Sequence, residues 1–123
     1  MAEIYDERRT ETRFATSGEG EVEIDGEKLR AELLDLSING LRMSRPQGFG
    51  APSGSRFAMN LLIPGADPFM AQVALVRVDA VAVGVEFMDM SPKDFGLLTN
   101  LIDRYASLRA QALMREGLAA QEG

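Results

Sequence analysis

Arg8, Arg9 and Arg13 stand close together near the start of a chain that carries 13 Lys and Arg against 19 Asp and Glu. Arginine offers a planar fork of donors and a charge that ordinary pH does not remove, so such a group suits phosphate. The same fork matches O6 and N7 of guanine, and its plane can stack on a base. A competing arrangement is a solvated terminus whose arginines pair with Asp6, Glu7 and Glu11. A second cluster is Asp35-Leu36-Ser37-Ile38-Asn39-Gly40. If Leu36 faces a core at a strand end, Asp35 and Ser37 point outwards together. A carboxylate accepts from the N–H edge of guanine, and a hydroxyl donates or accepts beside it. Gly40 allows either a positive φ or a close backbone approach. An ordinary turn draws on the same residue types.

The missing residues narrow the chemistry. With no Cys and no His there is no thiol nucleophile or thiolate metal site, and the commonest general base is absent. No acid pair stands out at a catalytic spacing, so no catalytic or metal-ligating residue is nominated and no cofactor is expected. The glycines between Gly48 and Gly54 lack the Gly-Lys-Ser/Thr of a P-loop. A net charge of −6 and a pI near 4.6 oppose a nucleic-acid polymer or an anionic membrane as partner. A small anion requires only a local cluster of bases. No apolar run approaches the ~18 residues of a membrane span. The first residues also lack the basic-then-apolar order of a signal peptide, which gives a cytoplasmic expectation without membrane insertion.

Positioning these groups falls to a run of short strands. Phe14 to Ile24 alternates at Val22 and Ile24, and Asp25-Gly26 suits a two-residue hairpin turn into a strand over 28–36. A third strand covers 40–44 and carries Arg42 on the outward face expected for Asp35. A loop rich in Gly, Pro and Ser follows over 45–55. Phe57, Met59, Leu61 and Ile63 mark a fourth strand. Strands over 70–78, which includes Arg77, and 81–87 flank a turn at Asp79-Ala80. Ser91-Pro92-Lys93-Asp94 then opens a helix whose Leu98, Leu101, Ile102, Tyr105, Leu108 and Ala112 recur at helical spacing, with Gly117 as its stop. The expected fold class is mainly β, a six-stranded antiparallel barrel with a C-terminal helix. Its parts are a flexible arginine segment over 1–13, a barrel over 14–90 and a helix over 91–118.

Arg9-x-x-x-Arg13 and Asp35-x-Ser37-x-x-Gly40, followed by Val83-Gly84-Val85-Glu86-Phe87, together resemble the signature of the PilZ family, over about residues 7–118. That resemblance implies a receptor that wraps cyclic di-GMP against the outside of the barrel, as one molecule or an intercalated pair, and signals to a downstream protein. By position, Arg9 and Arg13 would grip phosphates and guanine edges, Asp35, Ser37 and Gly40 would recognise a guanine, and Arg8 would favour the paired ligand. Arg42 and Arg77 are further candidate contacts. Motility and biofilm formation are the kinds of process such a receptor would control. The alternative within the family is an adaptor that acts by protein contact in pilus or flagellar function. An oligonucleotide-binding barrel would need exposed aromatics and a basic groove, which two Tyr, six Phe and this charge do not supply.

Overall fold

Alternation of apolar and polar residues produces the strands, and their closure produces the core. The computed structural model describes residues 12–122, with side chains as far as Glu116. Strands β1 (Phe14–Ala15), β2 (Glu19–Ile24), β3 (Glu27–Leu36), β4 (Gly40–Ser44), β5 (Arg56–Leu62), β6 (Phe69–Val78) and β7 (Ala82–Asp89) precede one helix, α1 (Pro92–Glu122). Around the barrel the order is β3-β2-β5-β6-β7-β4, and β4 returns to β3 so that six antiparallel strands close. Closure removes the unpaired edges that an open sheet would present. Met59 and Leu61 of β5, Val73 and Leu75 of β6, and Val83 and Val85 of β7 are among the side chains that fill the interior. Asp25 and Gly26 both adopt positive φ, 53° and 82°, as the two-residue hairpin turn requires.

The run from Phe14 to Ile24, expected as one strand, is two. The register on β3 slips by one residue between β1 and β2. Gly18 sits in this interruption at φ 105°, where an added Cβ would lie 2.3 Å from the Leu62 carbonyl oxygen. Phe14 faces inwards, 7% exposed, on the same side as Gly20 and Val22, and Ala15 lies outside.

The helix begins as its sequence indicates. Ser91 Oγ accepts from Asp94 N at 3.0 Å and donates to Asp94 Oδ2 at 2.7 Å. Leu98 and Leu101 are buried against the barrel, and Ile102 and Tyr105 are half-buried. Leu108 and Ala112 were expected to continue this stripe but lie exposed, because a helix of 31 residues, about 46 Å long, outruns the barrel it covers. Nor does Gly117 end it. The helical backbone continues to Glu122, since one glycine costs only about 1 kcal/mol and the Leu-Ala-Ala-Gln-Glu that follows favours helix. Val81, which opens the sequence alternation of the last strand, is 75% exposed in the β6–β7 turn. Among the described residues, no helix is long and apolar enough to cross a membrane.

Candidate functional site

A bulge sets the direction of the acid at the centre of the site. Ala31 and Leu33 of β3 face the core, so strict alternation would also send Asp35 inwards. The pairing of β3 with β4 shifts between Leu33 and Asp35, leaving Leu34 as the extra residue. One added residue reverses the facing, so Leu36 is buried and Asp35 emerges on the outside. From there a single row runs across the strands, in which Ala15 pairs with Asp35, Asp35 with Arg42, Arg42 with Gly84, and Gly84 with Arg77.

Two arginines converge on the carboxylate in this row. Arg13 Nη1 donates to Asp35 Oδ1 at 2.6 Å, and Arg42 Nε donates to Asp35 Oδ2 at 3.0 Å. Both arginine side chains are about half exposed, 50% and 54%, so the face they form is open to solvent. Beyond Gly84, which places no side chain between them, Arg77 continues the basic row. Donation from the Val81 and Ala82 N–H groups, at 2.9 and 2.8 Å, holds the Asp79 carboxyl below its usual range, with a smaller contribution from the charges of Arg42 and Arg77. The face is open. A hollow of about 660 Å³ beside Glu23 and Phe57 lies away from it, and one of about 540 Å³ beside Phe14, Ile38 and Arg109 adjoins it behind Arg13. No group of three acids that could hold a metal occurs among the described residues.

The other two residues of the Asp35 motif sit differently from expectation. Ser37 does not share the outward face, because β3 ends at Leu36 and the chain turns there. It is 1% exposed, and its Oγ accepts from the N–H groups of Asn39 and Gly40, each at 3.2 Å, and donates to the Gly40 carbonyl oxygen at 3.3 Å. Gly40 has no positive φ. Its need is space against the protein's own backbone, since a Cβ there would lie 2.1 Å from the Val85 carbonyl oxygen. Ser37 and Gly40 therefore build the turn, and Asp35 presents itself from it. Arg8 and Arg9 lie outside the described residues.

The sequence reading also missed Arg109. Its Nη2 donates to the Arg13 carbonyl oxygen at 2.8 Å, and its guanidinium stands 4.3 Å from the Phe14 ring centroid. Tyr105, one turn earlier, packs on Phe14 with ring centroids 6.1 Å apart and exchanges a short hydrogen bond with Thr16 Oγ1. The only signal was position, four residues after Tyr105 and so on the same side of the helix.

A family model described as PilZ domain matches residues 7–104. Escherichia coli YcgR in complex with c-di-GMP aligns with a TM-score of 0.70 and 19% identity, over 88% of this chain and 49% of YcgR. The chain thus spans about half the length of that protein. The PilZ domain of YcgR with c-di-GMP aligns with a TM-score of 0.67 and 20% identity, over 82% and 94%. An uncharacterised Legionella protein aligns with a TM-score of 0.56 and 17% identity, over 80% and 98%. These likenesses establish the barrel-plus-helix fold. Comparison with curated proteins gave no match.

Proposed function

Since the chain belongs to the PilZ domain family, we propose that it is a receptor that binds cyclic di-GMP on the outer face of its barrel and passes the signal to a protein partner. The observation that carries this reading is the pair of half-exposed arginines, Arg13 and Arg42, held on opposite oxygens of Asp35. A cyclic dinucleotide brings two phosphates and two guanines. Arg8, Arg9 and Arg13 grip the phosphates and guanine edges, with Arg42 and Arg77 completing the basic row. As Arg13 moves from carboxylate to phosphate, Asp35 is released to accept from the N–H edge of a guanine. Ser37 and Gly40 support the site through the turn that joins β3 to β4 after Asp35. The c-di-GMP bound to both YcgR structures supports the choice of ligand.

Binding fixes the arginine segment against the barrel. Ordering roughly eight residues costs on the order of 1 kcal/mol each, so several charge-assisted contacts must form together before affinity appears. The result is a switch rather than a catalyst, because binding creates a new surface next to α1. Calorimetric titration with cyclic di-GMP tests it, with binding that weakens in salt and is lost in Arg9→Ala and Arg13→Ala variants. No heat from folded protein at high ligand concentration overturns it. A second reading, an adaptor acting by protein contact, is favoured by Leu108, Leu113 and Met114, which α1 exposes beyond the barrel. An Arg13→Ala variant that keeps its cellular function would support the adaptor.

A further inference from the structure

We infer that Arg109 is a positioning residue for the ligand site, through which helix α1 controls the root of the arginine segment. The inference rests on the receptor reading above and adds its regulation. Arg109 is 96 residues from Arg13 in the chain, yet it holds the carbonyl of the Arg13–Phe14 peptide link and covers the Phe14 ring. Its Nη2 bonds the Arg13 carbonyl oxygen at 2.8 Å, and its charge lies over the Phe14 ring at 4.3 Å. The side chain of Arg13 meanwhile points to Asp35, 2.6 Å away. One residue is therefore gripped from two directions, its backbone by the helix and its side chain by the barrel face.

β1 is two residues long, and the Thr16 N–H bond to the Leu34 carbonyl oxygen is 3.2 Å. Tyr105 adds a second tie through its ring on Phe14 and its hydroxyl on Thr16 Oγ1. Removing Arg109 leaves the Arg13 carbonyl to solvent and the Phe14 ring uncapped, without emptying any core position. The Arg13 guanidinium then samples a wider range, and the ligand must supply the lost order. Coupling of this kind is reciprocal, so a ligand that fixes Arg13 must also tighten α1 around Arg109. The exposed helix end that follows would carry that change to a partner.

The test combines two measurements on Arg109→Ala, Arg109→Lys and Tyr105→Phe. Amide hydrogen exchange without ligand should quicken at Thr16 by about 5–30-fold in Arg109→Ala, the scale of one charge-assisted hydrogen bond plus one cation–π contact. The Leu75 amide, bonded to Ser55 in the barrel, should not change. Affinity for cyclic di-GMP, measured well below the melting transition, should fall by a similar factor, with Arg109→Lys restoring most of it and the melting temperature dropping by only a few degrees. Ligand should slow exchange over residues 105–113 in the wild type but not in Arg109→Ala. Unchanged Thr16 exchange, or quickened exchange with wild-type affinity, overturns the inference. A wild type that does not bind overturns the ligand reading instead, while the exchange data still decide whether Arg109 holds the segment.

Discussion

Replacing Gly40 by Ala should destabilise the protein for reasons that involve no ligand. The new Cβ would lie 2.1 Å from the Val85 carbonyl oxygen and 3.1 Å from the Glu86 Cα, both backbone atoms of β7. No rotamer change relieves such a contact, so β4 and β7 must separate by about 1 Å to reach an ordinary approach. The bonds at risk are Phe87 N to Asn39 O and Ser37 N to Gly40 O, both 2.8 Å, and the ladder at Gly40 and Glu86. Two or three of these at roughly 0.5–1.5 kcal/mol each give about 1–4 kcal/mol. The lower entropy of the unfolded alanine chain returns roughly 0.4–1 kcal/mol. A net loss of about 1–3 kcal/mol should lower the melting temperature by about 3–15 °C. Gly84→Ala is the control, because its Cβ meets only Arg77 Cβ at 3.6 Å and Val76 Cγ2 at 3.9 Å, and it should stay within about 0.5 kcal/mol of wild type. Thermal melts of both variants decide the matter. A Gly40→Ala protein that melts within about 1 °C of wild type would refute the close-approach account.

The same separation of folding from binding extends to the neighbouring residues. Ser37→Ala, which strips the partner from two N–H groups in a buried turn, should cost about 1–3 kcal/mol by denaturant unfolding. Asp35→Ala should cost less than about 1.5 kcal/mol, since its two arginines are half exposed, yet it should abolish cyclic di-GMP binding in a titration. Leu98→Ala, at a fully buried helix contact, should cost about 2–5 kcal/mol, whereas Leu113→Ala should be nearly neutral. Asp79 has a folded pKa below the ordinary 3.8, so its contribution is complete above that value and fades as pH falls through the folded pKa. The stability gap between wild type and Asp79→Ala should therefore be constant from about pH 7 to 5 and close in stronger acid, as unfolding at a series of pH values would show.

Much of the barrel was legible because period-two alternation is a direct record of which face is buried. Phe57, Met59 and Leu61 announced β5, and Asp25-Gly26 announced the hairpin between β2 and β3. Departures from alternation were not legible. The bulge at Leu34 adds one residue and decides that Asp35 faces out, and the slip around Gly18 breaks one expected strand into two. Ser37 was misplaced because alternation was carried one residue beyond the strand, into a turn governed by hydrogen bonds to its own backbone. That Arg42 shares the outward face of Asp35 could be read, but their direct pairing could not, because it depends on the register beyond the bulge. Arg109 could not, since a helix pattern shows which side is apolar but not which distant carbonyl a polar side chain reaches.

The central claim is that Asp35 and its arginines form a cyclic di-GMP site, and one titration tests it most directly. Calorimetry of the wild type and Asp35→Ala with cyclic di-GMP, each first shown to be folded, should give saturable, salt-sensitive binding for the former and none for the latter. Equal binding by the two proteins would place the ligand elsewhere, and binding by neither would remove the ligand from the account.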